Sequence, residues 1–330
     1  MNSFEKKADE SITVEGQDFA YVKDRLIGGR VFANQDKTEY LRTASAAEIA
    51  GEANLTKDLY ERGFPVPKVI ATGTLKDGTA YYTERSIGDR HFGQIFKQNT
   101  KTEGHITEES LDAFINVIKR YCAAQFNYKN FVPHNPDSLA KISAFEIAMR
   151  SNPPAPDMEP MFAEVYQKAN ERLSKLPWGY LQPDLNPFNI LHDGIIDFEL
   201  ADFGPIGYDT VTNIYFERMW PTKEVSYHAS DEQIAKYVAA IDAIAKEHDL
   251  PPMSSFTDDF LVLKAIWASA KPKESEEGAE KYADLWKWRA NVRDWCVKQY
   301  LKGEPIDSNQ FQVVGGEYKT ATEKAQNLTS

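Results

Sequence analysis

Leu181-Gln182-Pro183-Asp184-Leu185-Asn186-Pro187-Phe188-Asn189-Ile190-Leu191-His192-Asp193-Gly194-Ile195-Ile196-Asp197-Phe198 is the stretch that decides how this chain is read. Asp184 and Asn189 stand five residues apart, and Asp197 closes an apolar run. A carboxylate at the first position can accept a proton from a hydroxyl, while an amide oxygen and a second carboxylate suit a hard cation. Two short apolar runs flank Asp193-Gly194, a dipeptide that tolerates the positive φ angles of a type I′ turn. Folding about it predicts His192 opposite Ile195, Leu191 opposite Ile196 and Ile190 opposite Asp197, so that Asn189 and Asp197 meet at the hairpin's open end. Each part alone is common by chance; their order within one window is not.

The chain has 330 residues, enough for a large core or for two lobes with a cleft between them. Its 38 Lys and Arg against 50 Asp and Glu give a formal charge of −12, which argues against a partner made of nucleic acid and against an anionic membrane surface. Cys122 and Cys296 are too few for a disulfide framework. With no secretory core at the N-terminus and no apolar run of about 18 residues, a cytoplasmic location is expected.

Up to about residue 88, short strand-like runs alternate with turns around one helix. Arg25-Leu26-Ile27, Gly28-Gly29 and Arg30-Val31-Phe32-Ala33 read as strand, glycine turn and strand, followed by Glu39-Tyr40-Leu41-Arg42, Val69-Ile70-Ala71 and Ala80-Tyr81-Tyr82-Thr83. The helix covers 45–62 and stops at Gly63. Beyond Gly88 the pattern turns to long amphipathic helices, with Leu111, Ile115, Ile118 and Cys122 on one face. Only the hairpin and Gly179–Leu181 interrupt them. Later helices fall near 209–219, 230–248, 256–269 and 277–301, the second opened by a Ser230/Gln233 capping box. The last ~25 residues read as a loosely attached tail.

Four local matches, Arg62 to Pro67, Glu84 to Asp89, Asp184 to Leu191 and Ile196 to Asp209, resemble the aminoglycoside phosphotransferase and choline kinase family. The last is similar to the family pattern I-D-[FW]-E-x-A-x-[FW]-G-P-x-x-Y-D at nearly every fixed position. The resemblance spans most of the chain. It implies an α+β, two-lobed protein-kinase-like fold: residues 1–88 as a nucleotide-binding lobe with a small antiparallel sheet and one helix, residues 89–330 as a larger helical lobe.

The same resemblance implies the roles. Gly28 and Gly29 would let backbone N–H groups approach nucleotide phosphates, Arg42 would stand for the phosphate-clamping lysine, and Glu52 would be its ion-pair partner. The Glu84 carbonyl and the Ser86 N–H would pair with the purine. Asp184 would be the catalytic carboxylate, and Asn189 and Asp197 would hold Mg2+. The implied activity is transfer of the γ-phosphate of ATP or GTP to the hydroxyl of a small molecule. Gln182 replaces the family's histidine and Arg42 its lysine, which motivates a rival reading as a non-catalytic nucleotide-binding scaffold. A protein kinase is disfavoured, because no activation segment follows.

Asp202-Phe203-Gly204 spells the protein-kinase metal triplet, with Asp202 eighteen residues after Asp184. The Asp193-Gly194 turn and the family register both favour Asp197 instead. Elsewhere Tyr282, Trp286, Trp288 and Trp295 read as core, Asp258-Asp259 and Glu274, Glu276 and Glu277 as solvated faces, and Asp209 as a helix N-cap.

Overall fold

The computed structural model describes residues 10–25, 28–128, 132–271 and 282–320. In chain order the strands are β1 (Ser11–Val14), β2 (Gln17–Asp24), β3 (Arg30–Asn34), β4 (Glu39–Ala44), β5 (Val69–Thr74), β6 (Ala80–Arg85), β7 (Trp178–Leu181), β8 (Ile190–Leu191), β9 (Gly194–Ile195) and β10 (Asp202–Pro205). The helices are α1 (Ala46–Glu61), α2 (Phe92–Glu103), α3 (Glu108–Asn127), α4 (Pro136–Ile142), α5 (Phe145–Ser151), α6 (Glu159–Leu173), α7 (Tyr208–Asn213), α8 (Asp231–Glu247), α9 (Thr257–Ser269), α10 (Ala283–Lys302) and α11 (Phe311–Gly315). They divide into two compact units, the first running through His91 and adding Asn189–Glu199, the second holding Phe92–Phe188 and the chain from Leu200. The hairpin expected in the larger lobe thus groups with the first unit.

The first unit is an antiparallel sheet in the order β1-β2-β3-β4-β6-β5. Side chains alternate between its faces, so consecutive tyrosines serve two cores. Tyr82 joins Ala44, Val69 and Ala80 against Ile49 and Ala53 of α1, while Tyr81 joins Val14, Phe19, Phe32 and Leu41 on the other face. Ser45 caps α1 reciprocally with Glu48, and Gly63 ends the turn after it at φ +83°. Leu26 and Ile27 lie outside the described residues, and the expected strand there ends at Asp24.

In the second unit Phe114, Ile118 and Tyr121 of α3 are buried, as are Ile234, Tyr237 and Ile241 of α8, and the Phe114 ring stacks on that of Tyr237 at 5.6 Å. The expected Ser230/Gln233 capping box starts α8. Helix α9 is buried on nearly every side, through Phe260 to Leu263, Ala265 and Ile266. No helix among the described residues is long and apolar enough to cross a membrane.

Three expectations change. The described part of the tail, up to residue 320, is anchored: Ile306, Ser308, Phe311 and Tyr318 are buried, and Tyr318 donates to Glu224. Asp259 is buried and accepts from Arg172 at 2.9 Å, because α9 has no solvated face to offer it; Glu274, Glu276 and Glu277 lie outside the described residues. Third, the hairpin pairs Ile190 with Ile195 and Leu191 with Gly194, so the turn is His192-Asp193. Packing overrides turn propensity here: Ile195 N donates to the Pro65 carbonyl at 2.7 Å, and a Cβ on Gly194 would meet that oxygen at 2.2 Å. Asp193 N also donates to the Ile87 carbonyl at 3.0 Å. Gly194→Asn, harmless in a type I′ turn, should therefore destabilise the protein by about 1–3 kcal/mol in denaturant unfolding; an unchanged midpoint would restore the Asp193-Gly194 turn.

Candidate functional site

The candidate site residues of the first unit come from β4, β6, α1 and the hairpin. Arg42 lies opposite Tyr82, and Tyr40 opposite Glu84, so Arg42 and Glu84 are diagonal neighbours on one sheet face. Arg42 Nε donates to Glu84 Oε1 at 2.7 Å, which corrects the expected pairing with Glu52. Glu52 instead accepts from Arg25 Nη2 at 2.5 Å and from the Tyr82 hydroxyl at 3.4 Å. Register places Glu84 beside Arg42, whereas the buried Arg25 approaches the helix carboxylate from the end of β2. Burial opposes the charge on Arg42, but Glu84, Tyr82 and Asp197 outweigh it, and the guanidinium stays ionised.

Arg42, Glu52, Thr56, Tyr82, Glu84 and Asp197 line one pocket of this unit. Asp197 lines it, and Ile196 N donates to the Asn189 carbonyl at 2.9 Å, so that despite the changed turn Asn189 stands opposite the residue before Asp197. Its φ of +69° is a left-handed conformation that aspartate tolerates better than most residues, and it turns the chain into a 3₁₀ turn, Phe198–Leu200. An amide oxygen and a carboxylate oxygen are the donors that Mg2+ accepts.

The glycine turn is held by contacts within the protein. Gly28 N donates to the Arg25 carbonyl at 3.2 Å, and a Cβ on Gly29 would meet the Thr43 carbonyl oxygen at 1.8 Å. Both have positive φ, +103° and +81°. Close packing on β4 demands glycine at position 29, and the positive φ favours it at both. Ser86 N donates to the Thr38 carbonyl at 2.8 Å and is engaged within the protein in this conformation.

In the second unit, β7 pairs with β10 and delivers the chain to Asp184. Asn186 Nδ2 donates to the Asp184 carbonyl at 2.8 Å and to its Oδ1 at 3.3 Å, while Asn186 Oδ1 accepts from Phe188 N at 2.9 Å, which fixes the loop around the carboxylate. The Gln182 side chain accepts from Asp184 N at 3.4 Å, a loop-supporting role open to glutamine as to histidine.

Asp209, expected as a helix N-cap, instead lies within α7, whose N-cap is Gly207, and is fully buried. It accepts from the Tyr121 hydroxyl at 2.6 Å, Gln182 N at 2.9 Å, Thr210 N at 2.9 Å and Gln125 Nε2 at 3.2 Å. Burial raises its pKa and these donors oppose the rise. Asp202 is not in such a position: its Oδ2 pairs with Lys141 Nζ at 2.6 Å.

Residues 30–240 match the model of the phosphotransferase enzyme family. The chain belongs to that family. Its α+β, protein-kinase-like fold is shared with solved structures of an aminoglycoside phosphotransferase. A thermostable variant of APH(4)-Ia bound to ADP and hygromycin B is 14% identical, covers 85% of this chain and 93% of its own and superposes with a TM-score of 0.55. Another, bound to AMP-PNP and hygromycin B, is 15% identical over 89% and 96% at 0.54. No relative is found among curated proteins.

Replacing a carboxylate oxygen of Asp209 by an NH2 group would set donor against donor at a buried site. Asp209→Asn should accordingly lower phosphotransferase turnover on the order of tenfold or more and lower the melting temperature together; wild-type values for both would remove Asp209 from the account.

Proposed function

We propose that this phosphotransferase is a small-molecule kinase that moves the γ-phosphate of ATP to an acceptor hydroxyl. The observation that carries the proposal is the Asp184 loop: one half-buried carboxylate, clamped by Asn186 and backed through Gln182 by the buried Asp209, beside a sequence that continues directly into Asn189 and Asp197. Phosphoryl transfer needs little covalent help from the protein, so positioning and charge are the parts to look for.

Asp184 accepts the proton of the acceptor hydroxyl as its oxygen attacks phosphorus. Arg42 supplies positive charge to the triphosphate; its fork can turn from Glu84 to phosphate oxygens. Asn189 and Asp197 would hold Mg2+, which when bound supplies charge neutralisation at the phosphates. The Glu84 carbonyl remains the proposed purine contact, with Gly28 and Gly29 shaping the phosphate-side turn. ADP and AMP-PNP in the similar solved structures support ATP as donor.

Asp184→Ala should lose turnover on the order of a hundredfold or more with nucleotide affinity nearly unchanged, measured as ADP release and by calorimetry. Retained turnover would show that another group takes the proton. For the metal, Asp197→Ala should abolish magnesium-dependent nucleotide binding, whereas Asp202→Ala, which removes the pair with Lys141 and the acceptor for Phe203 N, should leave it nearly intact. The reverse pattern in a titration with and without Mg2+ would move the site to Asp202.

A further inference from the structure

Two buried cations of the second unit lack a carboxylate partner. Lys264, on α9, is 1% exposed, lies 3.9 Å from the centroid of the Trp267 ring and donates to the carbonyl of Pro183, the residue before Asp184. Arg289, on α10, is 8% exposed and stacks over Trp220 at 3.9 Å, with Trp286 at 5.1 Å. Among the described residues neither forms an ion pair, and Arg289 Nε and Trp286 Nε1 have no hydrogen-bond partner. Both cations lie within the electrostatic reach of Asp184.

A buried cation without an ion-pair partner is costly: burial, only partly offset by Asp184, lowers the pKa of Lys264 to about 8 and of Arg289 to about 10. Lys264 has a structural use, since it holds the catalytic loop by its Pro183 carbonyl. Arg289 has no such use. Its planar guanidinium is fixed by stacking, and its donors are left for a planar or tetrahedral oxyanion. A guanidinium held in this way attracts an acceptor with a negative group near its hydroxyl.

We propose that the acceptor is a small alcohol carrying its own oxyanion, carboxylate or phosphate, and that Arg289 binds that group beside Asp184. The inference rests on Asp184 as the acceptor-side carboxylate.

The test uses matched pairs differing in the anionic group: L-serine against ethanolamine, and glycerate or glycerol 3-phosphate against glycerol. Binding is measured by calorimetry and thermal shift, and ADP release is followed with ATP, for wild type, Arg289→Gln and Arg289→Lys. Wild type should prefer the anionic member by about tenfold or more. Arg289→Gln should lose the preference and Arg289→Lys keep part of it, with melting temperatures reporting on folding. If Arg289→Gln does not fold, the wild-type preference and its reduction in Arg289→Lys decide. Preference for glycerate over glycerol 3-phosphate identifies a carboxylate, and the converse a phosphate. No preference in wild type, an undiminished one in a folded Arg289→Gln, or faster phosphorylation of kanamycin than of any anionic alcohol overturns the inference. Anion preference without ADP release upholds the anion site and sinks phosphoryl transfer, whereas ADP release on kanamycin alone does the opposite.

Discussion

A single buried carboxylate, Asp209, organises the loop that carries Asp184 in the second unit. Asp209 gathers hydrogen bonds from α3, from the backbone at Gln182 and from its own helix. Gln125 extends the arrangement, donating to the Tyr180 carbonyl at 2.8 Å and accepting from Gly207 N at 3.2 Å. A charge in that environment is tolerable only while every donor stays in place, so the loop that starts at Gln182 inherits a fixed starting point. The position of Asp184 follows from it.

In the first unit the ion pairs are set by sheet register. The pairing of β4 with β6 gives Arg42 a carboxylate two residues along the facing strand, and Arg25 then satisfies Glu52. Two ion pairs stand where one was expected. The Arg42 guanidinium keeps its charge because Glu84 stays beside it.

Much of this was legible in the amino-acid sequence, for reasons that differ by element. Ser230 with Gln233, Gly63 and the apolar face of Leu111, Ile115 and Ile118 are local signals, and each marks the element it marks in the structure. The hairpin existed as read but turned elsewhere, because the Pro65 carbonyl, more than a hundred residues away in the chain, claims the space above Gly194. Asp209 was missed for the same reason: its donors at Tyr121 and Gln125 are 88 and 84 residues distant. Periodicity carries no information about such partners. The apparently detached end was misjudged because Phe311 and Tyr318 are too sparse to form a pattern, yet both are buried.

The central claim is that this chain consumes ATP by phosphorylating an alcohol. It is tested most directly by phosphorus NMR of ATP and Mg2+ incubated with the enzyme and a mixture of small hydroxyl compounds. The account predicts loss of the γ-phosphate resonance, with ADP and a new phosphomonoester appearing in equal amounts. ATP that binds to the protein but is left unconsumed with every acceptor would contradict it and leave a nucleotide-binding scaffold in its place.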